Sequence, residues 1–312
     1  MKGVVIKSTG SWYTVRTDKG NIIECRIRGK FRLSGIKSTN PITVGDIVDF
    51  ELEKNSNNGV ITNIHDRKNY IIRKSVNLSK QTHIIAANID QVFLLVTLEN
   101  PQTFTSFIDR FLATAEAYSI PAIIIFNKID LYNKKLADQK QQLEKIYRAI
   151  GYECLDVSAV EMININKLKV MMKDKVSMFS GHSGVGKSTL INTIHPELDL
   201  KTANISAQHK QGQHTTTFAE MFSLPFGGYI IDTPGIKGFG VVGFEKEEIG
   251  DFFPEIFAIK HKCKFNNCLH INEPKCAVKL AVENGTIAKS RYISYIQLLE
   301  DEHENYRVDN YL

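Results

Sequence analysis

Residues 181–189 have the types and spacing of a phosphate-binding loop, with a Gly, four residues and then Gly-Lys-Ser. Glycines let successive main-chain N–H groups point inward around a phosphate chain, and a helix N-terminus adds positive charge there. Lys187 can reach the β- and γ-phosphates, and the Ser188 hydroxyl can bind Mg²⁺. The predicted nucleotide-binding residues of this loop are Gly181, His182, Ser183, Gly184, Val185, Gly186, Lys187, Ser188 and Thr189.

Earlier in the chain, the tetrapeptide Asn127-Lys128-Ile129-Asp130 follows a predicted buried strand. The Asp130 carboxylate can accept the adjacent N1 and N2 protons of guanine, whereas adenine cannot donate in that geometry. Asn127 and Lys128 would brace the loop and cover the base. A main-chain N–H at Ser158-Ala159 would contact guanine O6. Alone, this tetrapeptide occurs by chance in many unrelated proteins. Together with a phosphate-binding loop, it indicates binding of GTP rather than ATP.

A third motif, Asp232-Thr233-Pro234-Gly235, follows the predicted strand that starts at Tyr229. A carboxylate at the end of such a strand can reach Mg²⁺ through water, so Asp232 is a predicted magnesium ligand. Gly235 can donate its N–H to the γ-phosphate. Thr216, in the run His214-Thr215-Thr216-Thr217, is predicted to complete the magnesium shell when GTP is bound. The alternative for the threonine run is the start of a strand.

Strands and helices alternate through the centre of the chain, which predicts an α/β fold with a mostly parallel sheet and helices on both faces. A continuous apolar run predicts a buried strand over 91–98, and further strands are predicted over 121–126, 152–157 and 176–180. Residues 103–118 and 133–150 have helical patterns. In ordinary switch GTPases the phosphate loop precedes the Asn-Lys-x-Asp motif. Here that order is reversed, which predicts a circularly permuted P-loop GTPase domain.

The N-terminal 72 residues show five short strand patterns separated by turn signals, which predicts a small OB-fold barrel. Residues 1–80 hold 15 Lys and Arg against 7 Asp and Glu, although the whole chain carries only +5. This excess favours an anionic partner such as RNA, but a solvated basic surface is the alternative. The predicted RNA-binding residues are Arg26, Arg28, Lys30, Phe31 and Arg32. Trp12 and Tyr13 are expected near them.

Near the C-terminus, Cys263, Cys268, His270 and Cys276 offer three thiolates and one imidazole within 14 residues. This set predicts a closed tetrahedral Zn²⁺ site that stabilises a small helical domain. No ligand position stays open, so we expect a structural metal. Cys25 and Cys154 lie in predicted strands and are expected to be buried free thiols.

Length and composition favour a multidomain globular protein with boundaries at 1–72, 73–245 and 246–312. No apolar run reaches the roughly 18 residues of a membrane helix, and the first residues lack the pattern of a signal peptide. We therefore expect a cytoplasmic, monomeric protein with no membrane partner.

The barrel, the permuted motif order, His214-Thr215-Thr216-Thr217, Asp232-Thr233-Pro234-Gly235 and the cysteine-histidine cluster together resemble the ribosome small-subunit-dependent GTPase family (RsgA type). The resemblance spans the chain. It implies binding to the 30S subunit and its 16S rRNA during late maturation, with GTP hydrolysis to GDP and phosphate stimulated by the subunit and driving release.

Hydrolysis requires a group that orients water, and many switch GTPases place a Gln just after Asp-x-x-Gly. Ile236 stands there and can neither donate nor accept, so intrinsic turnover is expected to be slow. His214 is the candidate to orient the water once a ribosome fixes its loop. The alternative is an exposed histidine without a role.

An alternative function is an rRNA-binding assembly factor in which GTP is a slow conformational ligand with negligible turnover. A P-loop metabolic kinase is a more distant alternative, because Asp130 and Asp232 both fit switch chemistry.

Overall fold

The computed structural model describes residues 1–27, 41–54, 56–74, 82–200, 219–232 and 244–301. These residues form two compact units. Unit 1 comprises Met1–Val92, Asn166–Phe179 and Asn204–Gly238, and unit 2 comprises Phe93–Ile165, Ser180–Ala203 and Phe239–Leu312. Among the described helices, none combines the length and the apolar character that crossing a membrane requires.

The described strands are β1 (Lys2–Ser8), β2 (Tyr13–Thr17), β3 (Ile22–Ile27), β4 (Ile47–Leu52), β5 (Gly59–Ile64), β6 (Tyr70–Lys74), β7 (Thr82–Ala87), β8 (Gln91–Val96), β9 (Ala122–Asn127), β10 (Glu153–Val157), β11 (Val176–Ser180), β12 (Glu220–Ser223) and β13 (Tyr229–Asp232). The described helices are α1 (Thr105–Ala117), α2 (Lys134–Ile150), α3 (Ile165–Met172), α4 (Lys187–Ile194), α5 (Lys246–Ile249), α6 (Pro254–Lys260), α7 (Ala277–Glu283) and α8 (Lys289–Asp301).

In unit 1, strands β1 to β5 form a closed barrel. β1 pairs with both β2 and β4, β2 with β3, β3 with β5, and β5 with β4, which completes the ring. Alternate strand residues point inward, as expected for half-buried strands. With Ile42 from the segment before β4, they build a core of Val5, Tyr13, Val15, Cys25, Val48, Phe50 and Ile61. The predicted five-stranded barrel is confirmed. Of the two aromatic residues expected near the basic patch, Trp12 is 40% exposed, whereas Tyr13 is 1% exposed and belongs to the barrel core.

The remaining strands of unit 1 bring β13 beside β11. β11 and β13 run parallel with Met178 opposite Ile231, and β12 lies antiparallel between β13 and β1. Because the last residue of β13 follows Ile231, this strand ends close to the last residues of β11. The hairpin β6–β7 is a further element, which the sequence reading did not predict.

In unit 2, strands β8, β9 and β10 lie side by side in the order β10-β9-β8. β9 and β10 are parallel, and Asn127 lies opposite Val157 at their carboxyl ends. Helix α2 begins with the Asn133 side chain accepting from the Leu136 N–H at 3.0 Å, and it ends at Gly151 with φ +114°. Asn133 thus satisfies a free N–H of the first turn, and glycine tolerates the left-handed turn that stops the helix.

The C-terminal helices of unit 2 enclose a hydrophobic cluster of their own. Ile249, Phe253, Ile256, Val278 and Tyr295 are among its buried members. Ala113 of α1 belongs to the same cluster, so α1 packs directly against the C-terminal helices.

Candidate functional site

The predicted phosphate loop connects β11 to α4, as the motif requires. Gly181 follows the last residue of β11, and α4 begins at Lys187. Gly186 caps α4 with φ +94°, and a Cβ there would lie 2.6 Å from Asn127 Nδ2. Only glycine fits this position, because both its left-handed backbone and its close neighbour exclude a side chain. The free N–H groups of α4 therefore open toward an anion.

The Asn-Lys-x-Asp motif is joined to the phosphate loop by side-chain hydrogen bonds. Asn127 Nδ2 donates to the Val185 carbonyl at 2.8 Å, and Lys128 Nζ donates to the carbonyls of Gly184 at 2.8 Å and Asn100 at 2.7 Å. Partial burial lowers the pKa of Lys128, and the nearby Asp130 carboxylate opposes this shift. Both side chains therefore brace the loop, and the structure brings the two motifs together.

The groups expected to read the base lie next to this junction. Asp130 is exposed, in the single helical turn Ile129–Leu131. Ser158 is buried and exchanges two main-chain hydrogen bonds with Ile163, and Ala159 is half-buried beside it. Because β9 and β10 are parallel neighbours, their carboxyl ends present Asp130 and Ser158-Ala159 at one edge of the sheet.

A contact that the sequence reading missed involves His182 of the loop. Its ring lies 3.8 Å from the ring of Phe107 on α1, centroid to centroid, with the planes tilted by 32°. Partial burial lowers the pKa of His182, which favours the neutral imidazole. The only sequence signal for Phe107 is that it is an apolar residue within the predicted helix over 103–118.

Several predicted residues lie partly or wholly outside the described part of the chain. β13 ends at Asp232, whose side chain is outside it, and Thr216, Gly235 and His214 are outside it entirely. The described part of the site holds a suitable magnesium donor, because the half-buried Ser188 stands in the first turn of α4 next to Lys187. A hydroxyl is an oxygen ligand of the kind that Mg²⁺ prefers.

Of the five predicted RNA-binding residues, the structure describes Arg26. Its side chain is exposed on β3 and pairs with Glu53, with Nε at 3.0 Å from Oε1. The other four, Arg28, Lys30, Phe31 and Arg32, lie outside the described residues.

The four predicted zinc ligands converge. All four ligand atoms lie within 4.8 Å of one another, and His270 Nδ1 is 3.6 Å from Cys263 Sγ and 3.4 Å from Cys276 Sγ. The Cys263 and Cys276 sulfurs are 3.9 Å apart. Ligands about 2.3 Å from a tetrahedral Zn²⁺ stand about 3.8 Å from each other. The cluster, completed by Cys268, therefore fits one Zn²⁺.

The protein-family comparisons cover most of the chain. The model of the RsgA N-terminal domain matches residues 2–61, and that of the RsgA GTPase matches residues 64–242. The chain belongs to the RsgA GTPase family. Within this family it is similar to the small ribosomal subunit biogenesis GTPase RsgA of Flavobacterium psychrophilum, at 63% identity over all of this chain and 96% of that relative. The protein of the same name from Bacteroides fragilis strain YCH46 is 56% identical over 97% of this chain and 98% of its own.

Two solved structures share the fold of this chain. The crystal structure of YjeQ from Thermotoga maritima matches with a TM-score of 0.80 at 37% identity, over 98% of this chain and 99% of that one. YloQ, described as a circularly permuted GTPase, matches with a TM-score of 0.75 at 31% identity, over 98% and 96%. The predicted fold class is confirmed, namely an N-terminal barrel, a circularly permuted GTPase and a C-terminal cysteine-histidine cluster.

Proposed function

We propose that this RsgA GTPase binds GTP between its Asn-Lys-x-Asp motif and its phosphate loop, and hydrolyses it on the small ribosomal subunit during late maturation. The observation that carries the proposal is the pair of hydrogen bonds from Asn127 to Val185 and from Lys128 to Gly184. They fix the base-reading loop against the phosphate-reading loop, so both ends of one nucleotide meet preorganised partners.

Each residue has a role that follows from its chemistry. Asp130 accepts the N1 and N2 protons of guanine, and the main chain at Ser158-Ala159 donates to O6. The N–H groups of residues 181–189 surround the phosphates, and Lys187 neutralises their charge.

At the γ-phosphate, the remaining residues act on water and on the metal. Mg²⁺, when bound, neutralises the charge that develops on the phosphate oxygens. Ser188, Thr216 and Asp232 would hold it. Gly235 donates its N–H to the γ-phosphate, and His214 orients the attacking water once the ribosome has ordered its loop.

The proposed partner is the 30S subunit, contacted through its 16S rRNA. The relatives at 56–63% identity are named small ribosomal subunit biogenesis GTPases, and the N-terminal part carries the positive charge of this chain. A basic barrel suits a phosphate backbone, and Arg26, Arg28, Lys30, Phe31 and Arg32 are the proposed contacts. We place the protein in the cytoplasm as a monomer.

We divide the chain into an RNA-binding barrel at 1–72, the GTPase domain at 73–245 and a zinc-binding helical domain at 246–312. The zinc is structural, because all four of its ligands come from the protein.

Phosphate release from GTP, measured with and without purified 30S subunits, tests the proposal. We expect slow turnover alone and an increase of about 10³-fold or more with subunits. Lys187→Met should abolish turnover, whereas Lys173→Met, a change at an exposed lysine, should not alter it. Turnover that subunits leave unchanged would contradict the proposal.

A further inference from the structure

Unit 2 contains a buried charged cluster away from the nucleotide motifs. Arg291 of α8 is 0% exposed, and its guanidinium donates to Asp109 Oδ1 at 3.0 Å and to Glu255 Oε1 at 2.7 Å and Oε2 at 3.1 Å. Asp109 belongs to α1 and Glu255 to α6. A guanidinium out of water is tolerated only with such partners, so the geometry of these three helices is tightly specified.

Asp109 is the centre of this cluster. It is also 0% exposed, and besides Arg291 it accepts hydrogen bonds from Tyr147 Oη at 2.9 Å and from Ser294 Oγ at 2.6 Å. Arg291 and Ser294 lie within one turn of α8. The C-terminal helix therefore supplies two of the three donors that hold a carboxylate of α1.

Two residues before Asp109, α1 carries Phe107, whose ring stacks on His182 of the phosphate loop. Both residues lie in the 13-residue helix α1, so the helix couples the position of Asp109 to that of Phe107. The stacked ring is a side-chain contact between α1 and the first residues of the loop.

The same turn of α8 also forms hydrogen bonds to the segment around His270, which carries a predicted zinc ligand. Tyr292 Oη donates to the His270 carbonyl at 2.6 Å, and Tyr295 Oη donates to the Leu269 carbonyl at 2.8 Å. One side of α8 therefore contacts the zinc cluster, and another side contacts α1.

We propose that α8 positions the phosphate loop. Arg291 and Ser294 fix Asp109, Asp109 fixes α1, and Phe107 on α1 sets the conformation of the loop at His182. The C-terminal segment thereby sets the affinity for guanine nucleotide without touching it. Arg291 is a positioning residue in this scheme, and the inference rests on the proposed nucleotide site.

Binding of a fluorescent GDP analogue to the full-length, zinc-loaded protein tests this inference. Arg291→Lys keeps the charge but loses the two-pronged geometry, and Ser294→Ala removes one donor to Asp109. We expect both to weaken GDP binding, within the roughly 2–30-fold range over which residues on a coupling route act. Val48→Ala, at a buried position of the barrel core in unit 1, which shares no residue with the hydrophobic cluster of α1 and α8, is the matched control. It should lower Tm to a similar degree and change GDP affinity less than about twofold.

The route through Phe107 is tested by a double-mutant cycle. In a Phe107→Leu background, which removes the ring stacked on His182, Arg291→Lys should cause little further loss of affinity. The inference is overturned if folded Arg291→Lys and Ser294→Ala proteins bind GDP like the parent. It is also overturned if Arg291→Lys weakens binding equally with and without the Phe107 ring. Failure of the parent protein itself to bind GDP, with no difference from Lys187→Met, would instead contradict the proposed function.

Discussion

The side-chain amide of Asn127 donates a 2.8 Å hydrogen bond to the main-chain carbonyl of Val185, 58 residues later in the chain. Asn127 ends β9, and Val185 lies inside the phosphate loop. Asn127 is only 2% exposed, so this bond is shielded from water. It joins the motif proposed to recognise the base to the motif proposed to recognise the phosphates, in a chain where the second follows the first.

Removing this amide should weaken nucleotide binding more than it weakens the fold. Asn127→Ala leaves the Val185 carbonyl without its side-chain donor and frees the loop, a change worth about 1–3 kcal/mol. We expect a loss of about 5–150-fold in GDP affinity, measured by titration calorimetry.

Asn69 provides the matched control. Its buried amide makes two 2.8 Å bonds to the main chain of Ile89 in unit 1. Asn69→Ala should lower Tm in the same way but leave GDP affinity within about twofold. Equal effects of the two changes on affinity would show that the Asn127 bond has only a general structural role.

Substitution of Asp130 should change which base is bound. Guanine presents donors at N1 and N2, whereas xanthine carries a carbonyl at C2. Asp130→Asn replaces a carboxylate that only accepts with an amide that also donates. GDP binding should fall by about 10²-fold or more, and XDP should become the better ligand in a competition assay. A parallel loss for GDP and XDP would mean that Asp130 does not contact the purine ring at C2.

Alanine substitutions at two glycines, Gly186 and Gly151, should distinguish the effect of backbone strain from the effect of a steric clash. Gly186 and Gly151 both have φ near +100°, but a Cβ at Gly186 would lie 2.6 Å from Asn127 Nδ2, whereas one at Gly151 would meet nothing within 4 Å. Gly151→Ala should cost about 1 kcal/mol of folding free energy in a denaturant titration and leave GDP binding intact. Gly186→Ala should abolish GDP binding, and retained affinity would contradict the loop geometry.

The metal cluster should bind one zinc per chain. Cys276→Ser should abolish the stoichiometric zinc content measured by atomic emission spectroscopy. It should also lower Tm, because the metal stabilises a segment that has only a small hydrophobic core. Cys154→Ser, at a buried cysteine outside the cluster, should retain zinc even if it lowers Tm. Zinc content that persists in Cys276→Ser would contradict the ligand set.

The motifs could be identified from the sequence because their chemistry fixes residue types at short spacing. The phosphate loop, Asn127–Asp130 and the zinc ligands are of this kind, and the structure brings the described members together. The apolar runs of β8 and β9 are equally clear, since strands covered on both faces need few polar residues.

What could not be predicted depends on partners distant in the chain. The apolar stripe of α1 indicated one buried face, yet Asp109 on another face is also fully buried. Its partner Arg291 lies 182 residues later in the chain. No local sequence pattern predicts an ion pair between residues so far apart. Similarly, α5 and α6 have only four and seven residues, so tertiary packing rather than helical periodicity determines them.

A structure of the protein with Mg²⁺ and a non-hydrolysable GTP analogue would show whether the two motifs bind one nucleotide. We expect the guanine N1 and N2 atoms about 3 Å from the Asp130 carboxylate, with the phosphates enclosed by residues 181–189 of the same chain. A nucleotide bound with its purine away from Asp130, or with its phosphates outside that loop, would contradict it.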